Sequence, residues 1–278
     1  MTLSQLKELF IAQISGLYDI AESEEIFFLL LEENNRFTRT EYVINSQDTV
    51  TNFELWQSQI GQLIDGNPIQ YILGEADFWG MKIIVSPAVL IPRPETEELV
   101  QIVCSGTSES AKSTILDIGT GSGCIALSLK KELPNAIVTG LDVSAAAIAI
   151  AEQNGQKLNL NVNWICCGIE EFKTNQHFDI IVSNPPYIPI SDKKGMSKHV
   201  LDHEPHLALF APENDPLYFY KIIGDFAMKH LTKSSGRLYF EAHHIYAKQV
   251  FEYFGENENA VLINDMFGKP RFIKIAFN

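Results

Sequence analysis

The sequence has few basic residues and no long apolar segment, and both absences narrow what the chain can be. It holds 21 Lys and Arg against 35 Asp and Glu, a formal net charge of −14 over 278 residues. Nucleic acids are bound mainly through cationic side chains, and no local basic patch offsets this acidity, so we expect no direct nucleic-acid partner. No apolar run has the length of a membrane span, and the N-terminus carries no secretion signal. We therefore expect a cytoplasmic protein with no membrane partner.

Cysteine is also scarce, with four residues in all: Cys104, Cys124, Cys166 and Cys167. Their spacing matches no metal-ligand pattern, and buried reduced thiols are the expected state in a cytoplasmic protein. His203, Glu204 and His206 lie close together in the sequence, but no further ligand cluster accompanies them. The sequence therefore predicts no bound metal.

The first part of the chain is typical of a small helical domain. Over residues 1–75, apolar side chains recur at helical spacing, and three Lys/Arg against twelve Asp/Glu give this part a net charge of −9. Residues 76–92 follow as a predicted β-hairpin linker, with the apolar stretch 68–74 interpreted as one β-like arm. No catalytic constellation occurs within residues 1–75, and the acidity of this part would suit contact with a basic protein partner.

Residues 93–278 alternate between strand and helix patterns, which predicts an α/β fold with a mostly parallel sheet. The tail repeats a strand pattern at 261–266 and at 272–277, on either side of a Gly-Lys-Pro turn. We expect these two strands to close the sheet as an antiparallel hairpin.

A proline-rich tetrapeptide follows the apolar strand pattern of residues 178–183. Its residues are Asn184, Pro185, Pro186 and Tyr187. Each proline fixes its own φ and favours an extended conformation in the residue before it. Asn184 therefore places a carboxamide on rigid backbone at the carboxyl end of a strand, the edge where open α/β sheets bind ligands.

A glycine-rich turn ends an earlier predicted strand and precedes a helix. Its residues are Gly119, Thr120, Gly121, Ser122 and Gly123. Glycines allow a ligand to approach the backbone closely, and the first turn of the helix supplies unpaired N–H groups. Asp142 ends the next strand, where its carboxylate could accept hydrogen bonds from ribose hydroxyls. The glycine spacing differs from the dinucleotide fingerprint, because Cys124 stands where that pattern has its third glycine.

Arg93 lies between two prolines, immediately before a predicted helix. The rigid flanking residues could hold its guanidinium toward a substrate, and an ordinary surface ion pair explains the same pattern equally well.

Taken together, these motifs resemble the HemK/PrmC family, the methyltransferases that modify a glutamine side-chain amide in peptide chain release factors. The resemblance covers nearly the whole chain and rests on these segments: Gly66–Ile72, Ile91–Glu97, Gly119–Gly123, Asp142, Asn184–Tyr187 and Glu204–Pro205. It implies a class I, Rossmann-like methyltransferase domain that uses S-adenosylmethionine, and an N-terminal bundle that helps to hold the release factor. The substrate would be the glutamine of the Gly-Gly-Gln motif, methylated on its side-chain nitrogen for translation termination.

The resemblance also assigns residues to roles. The cofactor would be bound by the glycine turn, Asp142, Ile169 and Asn184, and the substrate by the tetrapeptide, Arg93 and Glu204. Related enzymes often carry an Asp after the third strand to contact the adenine, whereas this chain has Gly168 followed by Ile169.

A chemical hypothesis follows for Asn184, Pro185 and Tyr187. An amide nitrogen is a poor nucleophile because its lone pair is shared with the carbonyl. If the Asn184 side-chain oxygen and the Pro185 carbonyl accept the two N–H bonds of the substrate amide, its nitrogen is aligned with the methyl group. Tyr187 would pack against the substrate side chain.

Three alternatives share parts of this pattern. An adenine-N6 nucleic-acid methyltransferase has the same tetrapeptide, although the net charge argues against it. A nicotinamide-dependent dehydrogenase shares the strand-glycine-helix opening, although the glycine spacing and proline loop argue against it. A non-catalytic cofactor-binding adaptor would satisfy every motif.

Overall fold

The computed structural model describes residues 1–109, 112–195, 198–212, 215–233, 235–255 and 259–276. The helices are α1 (Leu3–Ile14), α2 (Ile20–Asn35), α3 (Arg39–Asn45), α4 (Phe53–Ile64), α5 (Ile69–Leu73), α6 (Pro94–Ser105), α7 (Cys124–Glu132), α8 (Ala145–Leu158), α9 (Lys198–His203), α10 (His206–Leu209), α11 (Tyr218–His230) and α12 (Ala247–Gly255), with a 3₁₀ helix at Ile190–Gly195. The strands are β1 (Glu75–Phe78), β2 (Met81–Ile84), β3 (Thr114–Ile118), β4 (Ile137–Asp142), β5 (Asn163–Cys166), β6 (Ile180–Ser183), β7 (Arg237–Glu241), β8 (Asn259–Asn264) and β9 (Pro270–Ala276).

The chain forms two compact units. The helical unit comprises residues 1–74 together with 198–203, and the sheet unit comprises residues 75–197 and 204–278. None of the helices in the described ranges combines the length and apolarity of a membrane span.

The helical unit begins its helices with side-chain caps. Thr2 and Gln5 form a capping box at α1, Thr38 and Glu41 form another at α3, and Asp19 accepts a hydrogen bond at the start of α2. Its core is aromatic and aliphatic, and the largest fully buried side chains are Phe10, Phe27 and Trp56. The predicted helical character of this part agrees with the structure.

One local prediction is wrong. The stretch 68–74 was expected as a β-like arm, but Ile69–Leu73 forms the short helix α5. Pro68 stands at its N-cap and Gly74 ends it in the left-handed conformation, so proline and glycine enclose a single turn. The hairpin consists of β1 and β2 alone, joined by Trp79 and Gly80, which both have positive φ.

The sheet unit contains a seven-stranded sheet in the order β5-β4-β3-β6-β7-β9-β8. The first five strands are parallel, and β9 and β8 are antiparallel. The predicted closing hairpin is therefore present, shifted to 259–264 and 270–276, while Phe277 lies outside the described residues. Apolar side chains of the sheet pack with α11 and α12 in one buried cluster that includes Leu116, Ile223 and Phe254.

The strand order places the predicted motifs at one edge. After β3 the chain continues through β4 to β5 on one side, then returns to the other side of β3 as β6. The carboxyl ends of β3 and β6 therefore flank the point where the order reverses, the usual ligand crevice of an open α/β sheet.

Candidate active site

The glycine turn begins at the carboxyl end of β3 and has a left-handed backbone at each of its glycines. The φ angles are 72° at Gly119, 54° at Gly121 and 81° at Gly123. A Cβ atom at Gly119 or Gly121 would meet no heavy atom of a more distant residue within 4 Å, so the backbone borders open space. At Gly123 the same atom would lie 2.7 Å from the Trp164 ring, which makes this glycine a packing requirement as well.

Hydrogen bonds of three buried polar side chains stabilise the glycine turn. Thr120 donates to the Asp117 carboxylate at 2.6 Å, and the Asn154 amide donates to the Ser122 carbonyl at 2.9 Å. Burial raises the pKa of Asp117 to about 7, against the opposing effect of the Thr120 hydrogen bond. Sequence reasoning assigned no role to Asp117 or Asn154.

Asp142 lies at the end of β4, beside the glycine turn. One carboxylate oxygen accepts from the Gly121 N–H and the other from the Ser144 N–H, each at 2.9 Å. Burial raises the pKa of Asp142, and these backbone hydrogen bonds lower it again. A carboxylate has about four acceptor sites, so Asp142 can still accept a hydrogen bond from a ligand hydroxyl.

Asn184 follows β6 next to the same turn. The Ser183 hydroxyl donates to the Ile118 carbonyl at 2.7 Å, which ties the end of β6 to the end of β3. The Asn184 Nδ2 donates to the Thr96 hydroxyl at 3.3 Å. Within the described part of the chain, neither the Asn184 Oδ1 nor the Pro185 carbonyl oxygen accepts a hydrogen bond. The loop thus presents two acceptors without protein donors.

A buried carboxylate lies behind Asn184. Glu241 ends β7 and is 3% exposed, and its Oε2 accepts from the Thr96 hydroxyl at 2.8 Å. Burial raises the pKa of Glu241 to about 7, while the hydrogen bond from Thr96 and the nearby charge of Arg271 oppose that rise. Sequence reasoning identified neither side chain as part of the site. The signal was present for Glu241, because it ends a parallel strand at the same edge as Asn184.

The predicted substrate side chains Arg93, Glu204 and Tyr187 each have a partner within the sheet unit. Arg93 donates to Glu204 at 2.5 Å, and Glu204 is buried with its second oxygen unpaired within the described residues. The Tyr187 ring lies 5.5 Å from that of His243, and burial, with an added contribution from Glu241, raises the pKa of Tyr187 to about 12. Arg93 therefore has a specific partner, and Tyr187 is held in its neutral form.

Ile169 follows β5, at the same edge of the sheet. Its half-buried side chain packs against the apolar cluster of the sheet unit. The neighbouring Glu170 accepts a hydrogen bond from the Tyr218 hydroxyl, so this carboxylate is already engaged. The structure thus brings Ile169, Asp142 and the glycine turn to one edge, as parallel strands require.

No group of three or more metal-binding side chains is found among the residues that the structure describes. His203 belongs to the helical unit and His206 to the sheet unit.

Comparison with known proteins distinguishes between the possible functions of this site. A family model described as "Methyltransferase small domain" matches residues 97–203. A release factor glutamine methyltransferase of Flavobacterium psychrophilum is 40% identical over the whole of both chains. One of Streptococcus pneumoniae is 39% identical over 91% of each chain. This chain belongs to the release factor glutamine methyltransferase family.

Solved structures show the fold that the family shares with other methyltransferases. A methyltransferase from Pyrococcus furiosus covers 79% of this chain and 96% of its own, with a TM-score of 0.51 and 21% identity. A T. thermophilus 16S rRNA methyltransferase, solved with AdoMet and guanosine, covers 73% of this chain and 50% of its own, with a TM-score of 0.52 and 16% identity. The predicted class I methyltransferase fold is confirmed, as are the family and the enzyme class.

Proposed function

We propose that this chain transfers a methyl group from S-adenosylmethionine to the side-chain nitrogen of the glutamine in the Gly-Gly-Gln motif of peptide chain release factors. Family membership supports this reaction, and one observation carries the proposal at the level of the site. Two acceptors on rigid backbone, the Asn184 Oδ1 and the Pro185 carbonyl, have no donor among the described residues and lie beside an open glycine turn. A primary amide offers two N–H donors, which is the complement of that pair.

The residues at the carboxyl edge fit S-adenosylmethionine. The glycine turn from Gly119 to Gly123 leaves open space over its backbone, and Asp142 offers carboxylate lone pairs for the ribose hydroxyls. Ile169 would contribute an apolar surface for the adenine, and Asn184 would border the methionine part. When bound, S-adenosylmethionine would supply the electrophilic methyl group of its sulfonium and leave as S-adenosylhomocysteine, and the methylated nitrogen would release one proton to solvent or to a neighbouring group.

Asn184 and Pro185 act on the substrate nitrogen. By accepting both N–H bonds, they turn the amide so that its nitrogen lone pair faces the methyl group. Positive charge that develops on nitrogen strengthens both hydrogen bonds, so these acceptors favour the transition state over the ground state. Tyr187, neutral over the physiological range, would pack against the aliphatic part of the glutamine side chain.

Arg93 and Glu204 would hold the substrate backbone around the glutamine. Their ion pair fixes the guanidinium, whose side chain is 36% exposed, and one buried Glu204 oxygen has no partner within the described ranges, so it can accept a hydrogen bond. The acidic segment 1–75 would dock the body of the release factor. No metal and no direct nucleic-acid contact enter this proposal, and a release-factor substrate places the reaction in the cytoplasm.

Methyl transfer from labelled S-adenosylmethionine to purified release factor tests the proposal. We expect label in the wild-type substrate and none in a release factor whose Gly-Gly-Gln glutamine is replaced by alanine. A duplex containing adenine serves as the competing substrate. Labelled adenine with an unlabelled release factor would overturn the proposal in favour of nucleic-acid methylation, and cofactor binding without transfer to either would favour an adaptor.

A further inference from the structure

Two polar side chains behind Asn184 have not been assigned a part in the reaction. Thr96 lies in the first turn of α6, and Glu241 ends β7. Each is only 3% exposed, although a buried hydroxyl and a buried carboxylate are costly unless they are hydrogen-bonded. They bond to each other, and Thr96 bonds to Asn184.

The direction of these hydrogen bonds follows from elementary chemistry. An ionised carboxylate only accepts, so the single hydroxyl proton of Thr96 is donated to Glu241 at 2.8 Å. The Thr96 oxygen must then act as an acceptor toward Asn184, at 3.3 Å. The group of Asn184 that faces Thr96 is therefore its NH₂, and its Oδ1 occupies the opposite side of the carboxamide.

We propose that Thr96 and Glu241 are positioning residues, which fix the Asn184 carboxamide with its Oδ1 toward the substrate nitrogen and strengthen that oxygen as an acceptor. The inference rests on the proposed amide methylation. Every donor in the series points toward the Glu241 carboxylate, and hydrogen bonds in such a series polarise one another. The substrate N–H would be the outermost donor of this series. Positive charge that develops on the substrate nitrogen would therefore be stabilised by the Glu241 carboxylate through Asn184 and Thr96, without direct contact.

Without this arrangement the carboxamide would have two orientations of similar energy. A flipped Asn184 would present NH₂ to the substrate NH₂, two donors facing each other, and the substrate nitrogen would lose one of its two acceptors. A purely structural role for the network, joining α6 to β7, predicts a loss of stability instead. The two roles therefore differ in what each substitution changes.

Single-turnover kinetics at about pH 8, with saturating cofactor and a range of release-factor concentrations, provides the first test. Thr96→Val keeps the shape but removes the hydroxyl, and we expect the transfer rate to fall about tenfold or more with little change in the KM for release factor. Thr96→Ser restores the hydroxyl and should retain most of the rate. A normal rate for folded Thr96→Val would overturn the proposal.

A double-mutant cycle provides the second test. In an Asn184→Ala background there is no carboxamide to orient, so adding Thr96→Val should change the residual rate less than twofold. Losses that multiply in the double variant would show that Thr96 acts independently of Asn184 and would overturn the proposal. If Thr96→Val does not fold, Glu241→Gln takes its place in the same cycle with the same expected pattern.

NMR of the Asn184 side-chain NH₂, assigned by the signals lost in Asn184→Asp, gives a readout that needs no methyl transfer. We expect slow exchange of these protons in the wild type and in Thr96→Ser, and fast exchange in Thr96→Val. Equal exchange in all three would contradict the proposed orientation. A wild type that shows the slow exchange but methylates no release factor would instead remove the proposed function.

Discussion

The helical unit and the sheet unit both have aromatic cores, but they differ in the polar groups that they bury. Among the described residues, the helical unit buries only Ser23 and Gln59 as polar side chains. The sheet unit buries four carboxylates: Asp117, Glu204, Glu241 and Asp265. A buried carboxylate costs free energy unless it is well paired. Glu204 and Asp265 each pair with an arginine, whereas burial raises the pKa of Asp117 and Glu241, so the fold keeps these two at a cost in stability. The buried polar side chains therefore distinguish the helical unit, whose core is almost entirely apolar, from the sheet unit, which contains the candidate active site.

The test with the largest expected effect replaces one side-chain carboxamide in each unit with alanine. Asn184→Ala should lower methyl transfer to a Gly-Gly-Gln peptide by roughly 10²- to 10³-fold, the effect of removing a preorganised hydrogen-bonding group. Cofactor affinity should stay within about tenfold, because the turn and Asp142 are untouched. Single-turnover kinetics and calorimetry measure the two quantities.

The matched control is Gln59→Ala in the helical unit, which removes the two hydrogen bonds that Gln59 exchanges with Asn34. It should reduce stability and leave peptide turnover unchanged. Near-normal turnover by Asn184→Ala would remove Asn184 from the acceptor role, and a large loss of turnover in Gln59→Ala would break the division between the units.

The second test uses the pH dependence of stability. The pKa of Glu241 is raised from 4.5 in the unfolded chain to about 7 in the fold, mainly by burial, with Arg271 lowering it and Glu95 raising it. Between these two pKa values, the Glu241 carboxyl is protonated in the folded state and ionised in the unfolded chain. The free energy of unfolding therefore falls as pH rises through this range, by at most about 1.4 kcal/mol per pH unit for one group.

Glu241→Gln should flatten this fall, which urea unfolding from about pH 5 to pH 8 would measure. Ser23 and Gln59 do not titrate in this range, so substitutions of these residues should leave the slope as in the wild type. An identical slope in Glu241→Gln and the wild type would mean that Glu241 is not a source of the pH dependence.

The third test compares two aspartates that accept backbone hydrogen bonds. Asp142→Ala should weaken S-adenosylmethionine binding by ~1.5–3 kcal/mol, the contribution of a hydrogen bond to a charged group. Asp19→Ala removes the cap of α2 and should cost ~1 kcal/mol of stability. Its effect on cofactor affinity should be nil. Calorimetry measures S-adenosylmethionine affinity for both variants and the wild type. An affinity of Asp142→Ala equal to that of the wild type would exclude Asp142 from the cofactor site.

The smallest expected effect concerns docking. Neutralising the exposed acids Glu8, Glu32 and Glu54 to glutamine should lower kcat/KM for whole release factor several-fold at low salt, because attraction to a basic face is lost. A short Gly-Gly-Gln peptide should be methylated as before. Steady-state kinetics at two ionic strengths with both substrates measures this.

The control neutralises three exposed acids of the sheet unit: Glu109, Glu152 and Asp225. It changes the net charge equally and should have a weaker effect on whole release factor. Equal losses from the two sets would mean that overall charge, and not the acidity of residues 1–75, sets the rate.

The sequence predicted the sheet, and the edge at which its parallel strands end, because both depend on local patterns. Alternation of strands and helices predicts a parallel sheet, and parallel strands bring their carboxyl ends together, so Asp142 and Asn184 could be placed at one edge before any coordinates. Stretch 68–74 was misassigned because its apolar run suits either state, and the flanking Pro68 and Gly74 decided for a helix.

The positioning partners of Asn184 could not be predicted in the same way. Thr96 lies 88 residues before Asn184, and the sequence gives no measure of which buried hydroxyl meets which carboxamide. Glu241 is a polar residue at the end of an apolar strand. This position predicts the sheet edge at which Glu241 lies, but it does not predict that Thr96 is its hydrogen-bond partner. Pairings of this kind depend on side-chain packing between α6 and β7, which hydrophobic periodicity does not encode.

The hydrogen bond from Thr96 to Glu241 closes a loop of 145 residues. During synthesis on the ribosome, α6, the glycine turn and Asn184 all emerge well before β7, so the site cannot be complete while the chain is still short. Contacts of such separation form late because closing long loops is entropically costly. The nascent chain would thus contain the glycine turn, Asp142 and Asn184 early, and Glu241 would reach Thr96 only when β7 joins β6. Methyl-transfer competence would then be one of the last properties that this protein acquires as it folds.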